Sequence, residues 1–299
     1  MLKTQMMRGL LLVCISGVLF TSAAAAPDEL SAADVVAKNI AARGGLQAWR
    51  AVQTLSLSGK LGVGGNQRAA LAVPVPNRKA GQKNVEEIST QRPVEEAQLP
   101  FVMELKRPRK MRMELQFNGH KAIQVFDGTN GWKLRPFLNR REVEPYTADE
   151  LKVASTQTEL DGPLIDYAAK GNQIELEGTE KVENRNTYKL KLTTKSGETI
   201  HLWIDAETFL ETKIEGQPRR LDGAYHPVEV YFRDYRPVGG LQIPYLLETR
   251  VLPVAKTKLG FKDTPVPPEQ IIIEEVAVNP KLEDSLFSKA AVEAAAKVK

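Results

Sequence analysis

The 299-residue sequence predicts a mainly β (α+β) fold, built on one large curved antiparallel sheet with a few short helices capping its apolar face. Two observations carry this. Period-two alternation of apolar and polar residues, the mark of a strand with one dry face, recurs from residue 54 to residue 278 and is broken by turns rich in Gly, Asp and Pro. Helical periodicity is confined to short stretches, so the oily face has only small helices to cover it, and curvature is the physical solution.

The elements follow in order. Residues 31–43 read as an amphipathic helix with Ser31 as its cap, Ala32, Val35, Val36 and Ile40 on its buried face, and Gly44-Gly45 as its stop. A second turn, residues 46–52, carries Trp49. Strand signals begin at Thr54, where Leu55 and Leu57 alternate with serines. Residues 121–126 pair with 132–135 across Asp127-Gly128-Thr129-Asn130-Gly131, a cluster of residues that tolerate positive φ. Tyr188, Leu190 and Leu192 alternate with lysines, turn at 195–197 into Ile200, Leu202 and Ile204, and turn again at 205–208. Segments 228–235, 245–252 and 271–278 extend the pattern, with 237–240 as a tight connection. Helical signals return at 147–153, at 163–169, and in an alanine-rich tail from Ser285.

The ends set the domain organisation: a signal peptide at 1–25, a sheet domain at 26–284, and a helical or frayed tail at 285–299. Lys3 and Arg8 supply a positive n-region, residues 9–20 an apolar core, and Ala23-x-Ala25 a small-residue cleavage site. The sole cysteine, Cys14, follows Val13 where a lipidated cysteine follows a small residue, so lipid anchoring is disfavoured. The mature chain then has no cysteine, and its stability comes from a core and not from disulfides. Residues 74–100, rich in Pro, Gly, Gln, Lys and Glu, read as a mobile insertion, either a flap or an unstructured excursion.

Composition excludes several classes. The 41 basic and 37 acidic residues are interleaved, with no basic stripe and no aromatic platform, so nucleic acid is not an expected partner. No second apolar span follows the signal, so the mature chain is not expected to cross a membrane. His120, His201 and His226 have no metal-ligand spacing, and there is no nucleophile elbow, zinc-protease helix or phosphate loop. No catalytic residue, metal or cofactor is therefore expected.

One stretch stands apart. Met103, Leu105, Met111, Met113, Leu115 and Phe117 share a parity, and Arg107 shares it with them. An ionised group among apolar ones costs several kcal/mol unless hydrogen bonds replace its hydration, so an inward Arg107 demands a partner. Alternatively, Pro108 breaks the phase and turns both Arg107 and Arg109 to solvent. Alternation also puts Leu190, Leu192, Leu202 and Ile204 on an oily face, without distinguishing a cavity wall from a filled core.

These motifs, in order and spacing, resemble the LolA/LolB lipoprotein-carrier superfamily. Lys106-Arg107-Pro108 is similar to its Lys-Arg-Pro, Asp127-Gly128 followed by Trp132 to its Asp-Gly-x-x-x-Trp hairpin, and Pro136-Phe137 follows at the family spacing. Asp161 to Tyr167 is similar in position to the lid between the two halves of the family's sheet, so Pro163, Leu164, Ile165 and Tyr167 are expected lid residues. The resemblance implies an open half-barrel, with the arginine of Lys-Arg-Pro as a latch that hydrogen-bonds the lid until acylated cargo displaces it. It implies that Arg107 is that latch and that the apolar residues above line the acyl site. Trp132 either lines the cavity mouth or packs its own hairpin. The chain is longer than a typical member, and no match to the exposed apolar loop of LolB is evident.

The expected function is thus a periplasmic carrier or chaperone for lipoprotein acyl chains, or for a related lipid, in sorting to the outer membrane. Its partners would be the acylated or lipid cargo and transient inner- and outer-membrane transport proteins. The alternatives are an envelope sensor of the same fold that regulates a membrane partner, and a transporter of a different lipid. The sensor ranks lower because the tail from Lys281 is too short and alanine-rich to be a separate interaction domain.

Overall fold

The computed structural model describes residues 30–64, 96–117, 119–136, 140–221, 224–254 and 267–297. The signal-peptide reading at 1–25 and residues 74–95 of the insertion lie outside them. Residues 96–100, assigned to the insertion by composition, instead open a strand.

The chain enters through α1 (Ala32–Ala42) and α2 (Leu46–Ala51). Ser31 caps α1 in a reciprocal box with Asp34, satisfying two otherwise unpaired amides. Gly44 ends the helix at φ 111°, and a Cβ there would overlap the Gly240 carbonyl, so the close approach requires glycine.

Six strands follow: β1 (Thr54–Gly64), β2 (Glu96–Lys106), β3 (Lys110–Phe117), β4 (His120–Phe126), β5 (Gly131–Arg135) and β6 (Arg140–Pro145). After α3 (Ala148–Gln157) come β7 (Gln173–Val182), β8 (Arg185–Thr193), β9 (Thr199–Asp205), β10 (Glu211–Leu221), β11 (Ala224–Val238), β12 (Leu241–Val251) and β13 (Glu269–Val278). A 3-10 turn (Asp284–Phe287) and α4 (Lys289–Ala296) complete the described chain.

Among the described residues these thirteen strands form one open antiparallel sheet, in the order β6-β5-β4-β3-β2-β1-β13-β12-β11-β10-β9-β8-β7. Every neighbour is consecutive in sequence except β1 and β13, which join the two halves. The two sheet edges, β6 and β7, are therefore consecutive in the chain. Twelve strand spacings of about 4.8 Å separate them, roughly 58 Å along the sheet. The connection from β6 to β7 must cross that curved face, and α3 with residues 158–172 makes the crossing.

Cross-strand partners share a face, so the register traces the inner surface. Met113 faces Met103, Met103 faces Leu57, and Leu57 faces Val276. Leu61 faces Ile271, Ile271 faces Leu247, and Leu247 faces Phe232. Val230 faces Ile214, Ile214 faces Leu202, and Leu202 faces Leu190. The central cluster on this face joins Trp49, Val52, Leu55, Phe101, Leu105, Leu160, Ile165, Leu241, Ile243, Tyr245 and Ile273.

The outer face is covered differently in each half. Over the first half, Phe287 and Val292 are fully buried against Ile123, Val125 and Leu134. The alanine-rich tail is therefore packed helix and not a frayed end. Over the second half the surface is ionic and aromatic: Lys213 Nζ sits 3.9 Å above the Trp203 ring and 2.6 Å from Glu229, while Arg233 and Arg250 converge on Glu183.

Candidate functional site

Residues 158–172 are pinned to the sheet and the two N-terminal helices by a cationic cluster. The Arg107 guanidinium donates through Nε to the Val52 carbonyl at 2.7 Å, and through Nη2 to the Trp49 carbonyl at 3.1 Å and to Asp161 Oδ2 at 2.7 Å. Val52 and Trp49 lie at the end of α2, the helix end that attracts cations; the Trp49 carbonyl also accepts from the Val52 amide and shares its second lone pair with the guanidinium. One fork thus ties together the end of β2, the end of α2 and the crossing segment. A lysine could not span the three acceptors in that plane.

Asp161 is the convergence point. It is 3% exposed, and a carboxylate so buried needs several donors to offset desolvation. Lys170 Nζ reaches its other oxygen at 2.8 Å, and also the Gly162 carbonyl at 2.6 Å and Glu159 at 2.9 Å. Arg43 Nη1 donates to the Asp161 carbonyl at 3.1 Å and pairs with Glu211 at 3.2 Å, its guanidinium stacked 4.3 Å over the Trp49 ring. Two more arginines grip the segment from outside: Arg109 pairs with Glu159 at 3.2 Å, and Arg50 clasps Asp166 with two bonds. The hydrogen bond from Arg50 holds the Asp166 carboxyl below the usual aspartate range.

The segment itself differs from the sequence reading. Thr147 caps α3 with Glu150 in a second reciprocal box, and the helix runs to Gln157. Residues 163–169, expected as helix, are turns instead. Gly162 at φ 75° and Asp166 at φ 52° supply left-handed geometry that a continuous helix cannot hold. Leu164 and Ile165 are fully buried, and Leu160 and Ile165 join the central inner cluster, whereas Pro163 and Tyr167 are half-buried.

Beyond this buried zone the inner face is only partly covered. Leu105 is buried, but Met103, Met111, Met113 and Leu115 are half-buried, as are Leu57, Leu61, Leu247 and Ile271. Phe117 lies at the far end of β3, bordering a cleft of about 410 Å³ with Leu99, Pro100, Gln116 and His120. In the second half Leu190, Leu192, Leu202 and Ile204 are on the same inner face and fully buried. Those four pack as core, and the half-buried apolar band belongs to β1–β3 with β12 and β13.

Trp132 is a correction. Phe126 faces Met111 and so points inward, whereas Trp132 faces Val125 on the opposite surface, where it packs near Phe287. It supports the outer cluster and does not border the inner band.

Sequence reasoning singled out Arg107 but not its carboxylate partner. Asp161 and Asp166 fall in the stretch similar in position to the lid, but nothing marks them, or Arg43, Arg50 and Lys170, as ion-pair partners, because pairs formed across a sheet leave no local spacing. Among the described residues no group of three or more His, Cys, Asp or Glu side chains is placed to hold a metal ion. Among them, too, no helix is long and apolar enough to cross a membrane.

The fold has solved counterparts. A LolA superfamily protein from Nitrosomonas europaea aligns over 88% of this chain and 100% of its own, with a TM-score of 0.51 and 12% identity. A DUF1329 family protein from Desulfovibrio piger aligns over 87% of this chain and 98% of its own, with a TM-score of 0.49 and 11% identity. A putative outer membrane lipoprotein-sorting protein domain from Vibrio parahaemolyticus covers 87% and 97%, with a TM-score of 0.49 and 10% identity. No family model and no curated protein matches the sequence. At such identity the likeness is one of fold: the chain has a LolA-like open antiparallel sheet with a few short helices.

Proposed function

We propose that this protein is a periplasmic carrier that shelters the acyl chains of lipoproteins, or of a related lipid, on the inner face of its sheet during transit to the outer membrane. The observation that carries the reading is a half-buried, methionine-containing apolar band beside a segment held down by the Arg107–Asp161 pair. Methionine adapts its shape to an irregular guest, and each methylene removed from water contributes about 0.8 kcal/mol. The resemblance through Lys106-Arg107-Pro108 and the LolA-like fold support the same assignment. No chemistry is needed from the protein: cargo enters as the segment lifts, and the ion pair favours the closed, unloaded state. In this reading residues 1–25 are a cleaved signal, and transient partners at each membrane donate and accept cargo.

Hand-off tests this. Purified protein loaded with a fluorescent acylated peptide is mixed with acceptor vesicles. Arg107→Leu, lacking the interaction that favours the unloaded state, is expected to retain cargo and transfer it several-fold more slowly. Transfer at the unaltered rate would remove Arg107 as the latch.

A further inference from the structure

The cations around the crossing segment do not all move with it. Arg43 and Arg50 belong to the N-terminal helical region, and Arg107 and Arg109 to the turn between β2 and β3. Their partners Glu159, Asp161 and Asp166 sit on the segment. Lifting the segment leaves three guanidiniums, Arg50, Arg107 and Arg109, without their carboxylates at one rim of the sheet. Arg43 keeps Glu211 as a partner, and Arg107 keeps the Trp49 and Val52 carbonyls that aim it.

The inner face of β2 runs from this rim, with Leu105 and Phe101 buried in the cluster that includes Leu160 and Ile165 of the segment, and Met103 half-buried between them. Once the segment lifts with Leu160 and Ile165, this face forms a track from Arg107 through Leu105, Met103 and Phe101 to Leu99, eight residues or about 27 Å at strand rise. One leaflet of a bilayer has a hydrocarbon depth of about 15 Å, so the track accommodates a full acyl chain with one end at the arginines.

We infer, resting on the carrier reading above, that the ligand is an amphiphile with an anionic headgroup, and that Glu159, Asp161 and Asp166 are internal stand-ins for its charge. The headgroup takes the guanidiniums as the segment gives them up, and the tails lie along the Met103–Met113 track. Planar guanidiniums recognise phosphate as they do carboxylate, in bidentate fashion, so the exchange conserves hydrogen bonds while the tail adds apolar burial. The barrier to opening is thereby offset in part by a tail alone and most fully by a ligand that brings both charge and tail.

The test uses the mature protein and a neutral fluorescent monoacylglycerol as the reporter. Short-chain phosphatidylglycerol and phosphatidylcholine with identical tails compete for it, beside glycerol 3-phosphate without a tail. Phosphatidylglycerol is expected to compete about tenfold better than phosphatidylcholine at low salt, an advantage that shrinks as salt rises. Glycerol 3-phosphate is expected not to displace the reporter. Exchanging both Arg50→Gln and Arg109→Gln, two half-exposed side chains, is expected to bring the ratio of the two lipids toward one. Asp161→Asn, which removes the internal competitor from Arg107, is expected to raise it. Reporter binding with equal competition by the two lipids overturns the headgroup inference and leaves the carrier reading standing. Displacement by glycerol 3-phosphate as strong as by phosphatidylglycerol replaces the amphiphile with a headgroup-only ligand. A folded protein that binds no acyl reporter overturns both.

Discussion

Arg107 Nη2 and Asp161 Oδ2 meet at 2.7 Å across 54 residues of sequence, and this pair joins the end of β2 to the segment that crosses the sheet from one edge to the other. The same guanidinium closes the end of α2, so one side chain couples three elements that share no backbone ladder with one another. The coupling follows from topology. A sheet whose two halves are meanders joined at β1 and β13 forces the connection between its edges over the inner face. That connection has no strand to pair with, so side chains must hold it.

Replacing Arg107 by leucine leaves Asp161 with Lys170 as its remaining side-chain cation, takes the guanidinium from the Val52 carbonyl, and leaves the Trp49 carbonyl with only the Val52 amide. A loss of about 1–3 kcal/mol is expected from these uncompensated groups, less than for a fully buried pair because Lys170 remains and Arg107 is partly exposed. Arg107→Lys should recover part of it, since an ammonium keeps the charge but not the fork. Urea midpoints of the three proteins decide the matter, and equal midpoints would show that the pair holds nothing.

Acid should loosen the same segment. Asp166 has a folded-state pKa below its ordinary 3.8, so its contribution is fully present above that value and is lost as pH falls through the lower, folded one. The stability difference between the wild type and Asp166→Asn should therefore be constant from neutral pH to about pH 5 and shrink below pH 4. Denaturation series at stepped pH read this directly. A gap that widens on acidification contradicts the assignment.

Glu183 adds a second acid-sensitive point on the outer face. Hydrogen bonding from Arg233 and Arg250 pulls its carboxyl down to about 2. The group is more than a third exposed, so its contribution is screened, but its sign is fixed: stability is lost between about pH 4.5 and pH 2. Titration of Glu183 by NMR should give a midpoint near the lower limit of that window, and an ordinary glutamate midpoint would dissolve the network.

Packing under the segment predicts a larger effect. Ile165 is fully buried in the inner cluster, and Ile165→Ala is expected to cost about 2–4 kcal/mol. Phe287→Ala on the opposite face is expected to cost about 3–5 kcal/mol. The two should differ in their effect on acyl binding: Phe287 touches the outer cluster alone, so its loss should lower stability without altering acyl-probe affinity.

The alternation that revealed the sheet was readable where a strand has one dry face. Leu190, Leu192, Leu202 and Ile204 show it plainly, and their register places all four on one surface. Trp132 escaped because parity does not carry through a turn: Phe126 pairs with Gly131, which puts Trp132 beside Val125 and turns it outward. Residues 163–169 carry helical signals, but the left-handed residues Gly162 and Asp166 override that preference. For the tail the sequence leaves helix and frayed end both open, because alanine signals little about burial; the structure has the helix, anchored by Phe287 and Val292. Arg107 was legible as a charge in an apolar phase, and its partner was not, since nothing in the spacing of Asp161 points across 54 residues.

The central claim is that the half-buried band of β1–β3 receives acyl chains. A photo-crosslinking residue at Leu115, which is half-buried at the edge of the inner cluster, tests it most directly when cells are irradiated and the adducts identified by mass spectrometry. The account predicts adducts of acylated lipoprotein or of lipid. A folded protein that captures neither would show that this face is ordinary core, and the carrier reading would lose its physical basis.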